Sequence, residues 1–159
     1  MTRIEPFRAE LATSVIELIL PIQQIEFGVP ITLDDQPDLL RIPEVYQSGR
    51  GGFWVALADR DVVGTIGLVD FGGGGALRKM FLRADQRGNG LAQRLLDMLL
   101  AHARAEGIAQ IVLGTTSQMR AAQRFYEKNG FRATAPDALP IDYPRMRVDD
   151  RFYALTLRA

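Results

Sequence analysis

The stretch that most constrains this chain runs from Leu77 to Ala103, LRKMFLRADQRGNGLAQRLLDMLLAHA. Leu77 to Leu82 is apolar and basic by turns and lacks Gly and Pro, a strand pattern. Arg83 to Gly88 is polar and breaks that period. From Gly90 onward, Leu91, Ala92, Leu95, Leu96, Leu99 and Ala103 form one apolar stripe at helical spacing, with Gln93, Arg94, Asp97 and Arg104 on other faces. A strand, a glycine turn and an amphipathic helix therefore follow one another directly.

A helix that starts in a glycine turn offers unpaired backbone N–H groups and the positive end of its dipole. With no side chains at Gly88 and Gly90, an anion can approach the backbone of Arg87 to Ala92. Arg87 adds a cation able to hold two phosphate oxygens. The expected ligand is a phosphate or pyrophosphate; the alternative is a plain strand-to-helix turn with a capping glycine. Two stricter phosphate motifs are excluded. A Rossmann fingerprint needs Gly or Ala where Gln93 stands, and the Gly-Lys-Ser/Thr of a P-loop is absent.

What remains, Arg87-Gly88-Asn89-Gly90-Leu91-Ala92, resembles the coenzyme A turn of the GNAT family of N-acetyltransferases. That pattern is Gln/Arg-x-x-Gly-x-Gly/Ala, matched by Arg87, Gly90 and Ala92. Further on, Ala122-Gln123-Arg124-Phe125-Tyr126-Glu127-Lys128-Asn129-Gly130-Phe131 is similar to the family's Ala-x-x-x-Tyr followed by Glu-Lys-x-Gly-Phe. The resemblance covers most of the chain and is most specific from Leu77 to Phe131.

It implies a single N-acetyltransferase domain over residues 1–159, with a mixed, mostly antiparallel sheet of six or seven strands flanked by about four helices. Acetyl-CoA is then the acetyl donor. Met80, Phe81 and Leu82 would bind the pantetheine arm through their backbone, and Arg87, Gly88, Asn89, Gly90, Leu91 and Ala92 the pyrophosphate. Tyr126 would protonate the departing thiolate, which suits a phenol of pKa ~10 facing a thiol of ~8.5. Without the resemblance, Tyr126 reads as a core aromatic beside Ala122 and Phe125. Leu82 N–H is the expected oxyanion donor. Many relatives carry an Asn where this chain has Met119, and the neighbouring Gln118 is the substitute amide. Glu26 is the expected general base, with Asp34, Asp35 and Asp70 as rivals. Arg78 and Lys79 read either as partners of the adenosine 3′-phosphate or as an exposed strand edge.

Composition bounds the rest. With 19 basic and 19 acidic residues the formal net charge is zero, which argues against a nucleic-acid surface. The chain has no cysteine, so no thiolate metal site and no cysteine nucleophile exist, in keeping with direct transfer. The longest apolar tract, Val15 to Ile22, is broken by Glu17 and Pro21 and is too short for a membrane span. No signal pattern is seen, so a cytoplasmic protein is expected.

Along the chain, Thr2 to Phe7 reads as a strand, and Glu10 to Ile25 as a helix kinked or ended by Pro21. Asp34 to Tyr46 holds a shorter helical pattern. Phe53 to Ala58 and Val62 to Asp70 form a hairpin about Asp59-Arg60-Asp61. Gly72 to Gly75 reads as a hairpin tip. Ala109 to Gly114 is a buried strand, Gln118 to Asn129 a helix capped at Asn129-Gly130, and Phe131 to Ala133 and Arg151 to Leu157 are strands. The Pro-rich excursion from Ala135 to Val148 carries Tyr143, Arg145 and Arg147, which would favour a carboxylate-bearing amine acceptor. The partners expected are acetyl-CoA and an unidentified primary amine of a small molecule or peptide, with no nucleic acid, no membrane and a possible homodimer. The alternative function is a non-catalytic acyl-CoA sensor or interaction domain.

Overall fold

Strand residues that alternate between two apolar sets need cover on both faces of the sheet, and the computed structural model, which describes residues 2–157, provides it. In β2 (Gly52–Ala58), Trp54 and Ala56 face one core while Phe53, Val55 and Leu57 face the other. The first core is covered by α3 (Leu91–Ala105), whose Leu91, Leu95, Leu96, Leu99 and Ala103 are buried against Val63, Ile66 and Leu68 of β3 (Asp61–Asp70). Tyr126 of α4 (Arg120–Lys128) joins the same core. The second is covered by α1 (Ala12–Pro21) and α2 (Ile42–Val45). The remaining strands are β1 (Thr2–Pro6), β4 (Gly75–Leu82), β5 (Gln110–Thr115), β6 (Arg132–Thr134) and β7 (Arg151–Thr156).

The seven strands run in the order β1-β2-β3-β4-β5-β7-β6. All neighbours pair antiparallel except β4 and β5, which are parallel and joined through α3. That junction holds through two pairs alone, Gly75↔Ile111 and Ala76↔Val112, and beyond them the strands part. Among the described residues no helix is long and apolar enough to cross a membrane.

Departures from the sequence reading have local causes. The first helix closes its α-helical part at Pro21 and continues as a wider turn over Ile22–Glu26, where Phe27 N–H reaches back to Ile22 C=O at 3.1 Å. Pro21 brings no N–H, so the hydrogen-bond ladder slips around it. The second pattern divides into a short 3₁₀ turn at Pro37–Leu40 and α2, each with a proline in its first turn. β4 begins at Gly75, before Leu77, where pairing with Asp70 and Ile111 already holds, and glycine stands there because a β-carbon would lie 2.6 Å from Leu68 Cδ1. The preceding glycines are a tight tip in which Gly72 N–H donates to Asp70 Oδ1 at 3.0 Å.

Candidate active site

The parting of β4 from β5 opens a cleft in the middle of the sheet. Its walls are Leu77 to Phe81 of β4, Gly114 to Thr116 at the end of β5, and Met119, Ala122 and Tyr126 of the following turn and α4. Tyr143, Met146 and Val148 of the Pro-rich excursion, with Asp149 just after it, close one side, and Gln23, Val29 and Ile31 another. A strand edge without a partner leaves its backbone groups facing the gap. Arg83 N–H donates to Val63 C=O at 2.8 Å, so its neighbour Leu82 turns its own N–H and C=O away from β3, toward the open edge.

β4 is also bulged. Between the pairs Thr65↔Phe81 and Gly67↔Arg78, β3 advances by two residues and β4 by three. Lys79 takes the left-handed conformation (φ 56°), costly for a residue with a side chain, and its carbonyl is held by the Thr65 hydroxyl at 2.7 Å. The bulge sends the Lys79 side chain inward, where it is buried. There the ammonium bonds Gln36 Oε1 and faces Asp38 at 3.7 Å. Gln36 exchanges two 2.9 Å amide bonds with Gln23, and Tyr46 donates to Asp38 at 2.5 Å. Burial lowers the Lys79 ammonium to about 8, against the opposing pull of Asp38. Lys79 is therefore neither an exposed edge residue nor a surface phosphate partner. Sequence could not place it, because the bulge depends on register with β3.

The glycine turn has the form expected from its sequence. Gly88 (φ 80°) and Gly90 (φ 88°) are left-handed, and the space where a side chain would stand at either is open. Asn89 Oδ1 accepts Leu91 N–H at 3.2 Å, and intrahelical bonding resumes with Arg94 N–H on Gly90 C=O at 3.1 Å. The first-turn N–H groups of Ala92 and Gln93 have no intrahelical acceptor. Arg87, read as a phosphate cation, turns back instead. It donates to the Leu82 carbonyl at 2.7 and 3.1 Å, lies over the Phe27 ring at 5.9 Å, and forms an ion pair with Glu26.

That pair redirects Glu26. Its carboxyl is held below the ordinary carboxylate range, mainly by the Arg87 hydrogen bond, and Glu26 does not line the cleft. A base needs proton affinity near working pH and a place beside the amine; the Arg87 bond lowers the first, and Glu26 stands outside the cleft wall. The rivals are occupied or remote: Asp35 is bound by Thr32 and Asp70 by Arg50, and Asp34 is exposed outside the cleft. Gln118 is exposed and does not line the cleft, whereas Met119 does.

Tyr126 is buried, with its hydroxyl directed at Met80 Sδ at 3.7 Å and its ring near those of Phe125, Phe131 and Tyr153. Burial and the charge of Asp149 raise its phenol well above the ordinary tyrosine value, so it stays protonated. Thr116 Oγ1, also on the cleft wall, is a buried hydroxyl without a hydrogen-bond partner among the described residues. The open β4 edge, the bare turn amides and this orphaned hydroxyl fit a long polar cofactor with an anionic centre.

The profile of the Acetyltransferase (GNAT) family matches residues 16–131. The chain belongs to the GNAT family. A GNAT acetyltransferase from Staphylococcus aureus Mu50, known from a crystal structure, is 37% identical with a TM-score of 0.97, over 99% of this chain and 100% of that one. A PaiA N-acetyltransferase from Thermoplasma acidophilum, solved in complex with coenzyme A, shares the GNAT fold at 16% identity, with a TM-score of 0.76 over 99% of each chain. N-acetyltransferase 8B of Rattus norvegicus is 34% identical over 104 residues, 61% of this chain and 47% of that protein. The chain thus spans about half the length of the first curated relatives it matches. The seven-stranded sheet with its four helices is the GNAT acyl-CoA N-acyltransferase architecture.

Proposed function

We propose that this chain is an N-acetyltransferase that moves an acetyl group from acetyl-CoA to a primary amine of a small molecule or peptide, directly and within a ternary complex. The observation that carries the proposal is the open edge of β4 running between two features: the bare amides at the start of α3 and the buried Tyr126 hydroxyl. Membership of the GNAT family and the coenzyme A complex of the PaiA relative support it.

In this reading Met80, Phe81 and Leu82 flank the pantetheine arm, and the outward Leu82 N–H is the hydrogen-bonding group offered to it, the Leu82 carbonyl being held by Arg87. The segment Gly88, Asn89, Gly90, Leu91 and Ala92 takes the pyrophosphate on backbone N–H groups and helix dipole. Arg87 braces the turn from below through Leu82 and Glu26. Acetyl-CoA supplies the activated thioester. Tyr126, kept protonated by burial, donates to the leaving sulfur, the role of a general acid. The apolar walls of the cleft, Met80, Met119 and Ala122 among them, limit water and so limit hydrolysis of the donor.

Calorimetric titration with acetyl-CoA tests the reading, followed by thiol release in the presence of amino acids, polyamines, aminoglycosides and peptide N-termini. The chain contributes no thiol of its own to that assay. Binding with release confirms an enzyme; binding with no release across the panel favours a sensor; no binding overturns both.

A further inference from the structure

Among the carboxylates of this chain, Asp149 has a setting that the sequence does not disclose. It follows the Pro-rich excursion, just before β7, and its backbone is pinned on both sides. Asp149 N–H donates to Met146 C=O at 3.2 Å, and Asp150 N–H to Thr115 C=O at 3.0 Å. The adjacent Asp150 carboxylate is fully engaged, accepting Ser117 N–H at 2.8 Å and the Ser117 hydroxyl at 3.1 Å. Asp149 is not. Its side chain enters the cleft beside Met80 and Tyr126 and has no hydrogen-bond partner among the described residues. It lies so close over β5 that a β-carbon at Gly114 would stand 2.9 Å from its Cγ and 3.0 Å from its Cβ. Glycine at 114 makes the seat.

Arg78, Lys79 and Arg145 act on the half-buried Asp149 carboxylate only through their charge, none of them bonding it, so its oxygens are left without a direct donor. We propose that Asp149 is the catalytic base of the cleft, accepting a proton from the ammonium group of the acceptor amine. The inference rests on the N-acetyltransferase reading. Written out, the ammonium N–H bond breaks and its proton goes to an Asp149 oxygen, leaving the nitrogen lone pair free. That pair forms the C–N bond as the carbonyl carbon–sulfur bond breaks. Sulfur departs with the bonding electrons and takes the Tyr126 proton. The nitrogen's second excess proton restores Tyr126, and Asp149 returns its own to solvent.

The surroundings suit the task. Facing Asp149 are Arg78 and Lys79 from β4, Tyr126 from α4, Tyr143 and Arg145 from the excursion, and the adjacent Asp150. Burial, aided by Asp150, pushes the Asp149 carboxyl up to about 6 against the pull of the three cations. Such a base is ionised at neutral pH yet basic enough to accept a proton.

The test compares wild type, Asp149→Asn and Gly114→Ala. The acceptors are the fastest amine of the panel above and hydroxylamine, which is already neutral at pH 7 and needs no base. For the panel amine, Asp149→Asn should lower kcat/KM by about 100-fold or more and abolish the acidic limb near pH 6. Its hydroxylamine turnover and acetyl-CoA affinity should stay within about threefold of wild type. Gly114→Ala, which displaces the carboxylate without removing it, should lose about tenfold or more on the panel amine alone. Independently of turnover, the Asp149 carboxyl carbon of labelled wild type, identified by its loss in Asp149→Asn, should titrate near 6. An acidic limb that survives Asp149→Asn, equal losses with both acceptors, or titration near 4 overturns the proposal. Failure of wild type to bind acetyl-CoA would instead overturn the reading beneath it.

Discussion

Gly90→Glu puts one carboxylate where the cofactor's pyrophosphate is proposed to sit, and its effects on stability and binding separate cleanly. Gly90 has φ 88°, and a side chain in that region costs about 1–2 kcal/mol. For a chain of this size that lowers Tm by roughly 2–8 °C. Gly90→Ala carries the same strain, and its methyl group enters open space, so it is the control for strain alone. The added carboxylate at the start of α3 recovers about 0.3–1 kcal/mol from the helix dipole, leaving the Glu variant no less stable than the Ala variant. Binding should behave oppositely. A carboxylate about 5 Å from one phosphate charge, at an effective dielectric constant near 20, is repelled by about 3 kcal/mol. That weakens acetyl-CoA binding by roughly 100-fold. Calorimetry and thermal melts on the three proteins give both quantities. If Gly90→Glu binds within about threefold of Gly90→Ala, the pyrophosphate does not lie on this turn.

Three other expectations follow from the geometry. Tyr126→Phe removes a hydroxyl whose contact is the Met80 sulfur, so acetyl transfer should fall by about 100-fold in steady-state assays while melting shifts little and acetyl-CoA affinity holds. Lys79 has a folded value lowered to about 8 from an unfolded one near 10.4, so the unfolded chain binds more protons between them and stability must rise with pH there. Denaturant titrations should show wild type gaining up to about 3 kcal/mol on Lys79→Met between pH 8 and pH 10. Asp70 is depressed by its Arg50 hydrogen bonds, so its contribution is present above pH ~4 and is lost as pH falls through the lower folded value. Asp70→Asn should cost about 2 kcal/mol at pH 7 and progressively less in acid, read from the same titrations.

What was legible in the sequence was carried by short-range rules. Gly88, Gly90 and the leucines of α3 announce themselves because a left-handed turn and a 3.6-residue period are local properties. The paired hairpin strands, the Gly130 cap and Tyr126 on its helix were equally accessible. What was hidden depends on distant residues meeting. Glu26 and Arg87 are 61 positions apart, and their union ties the expected base to the turn, away from the cleft wall. The burial of Lys79 follows from a register slip against β3 that no spacing within β4 betrays. Asp149 carries no signal in the sequence, because its seat is Gly114, 35 positions before it. Gln118 and Met119 exchanged prospects for a related reason: the direction of the turn before α4 decides which of two neighbours faces the cleft.

The short junction between β4 and β5 gives this sheet a property that its strand count conceals. An open seven-stranded sheet has two outer margins, here β1 and β6, where another chain's strand could add. This one has a further margin in its interior, where the inner flanks of β4 and β5 diverge. Such a margin would invite self-association if it were accessible to a whole polypeptide. The excursion residues Tyr143, Met146 and Val148 and the helix residues Ala122 and Tyr126 wall it in, so the passage suits a single unbranched arm better than a strand with side chains on both faces. The wedge thus leaves main-chain groups of β4 facing a walled passage rather than an open outer edge.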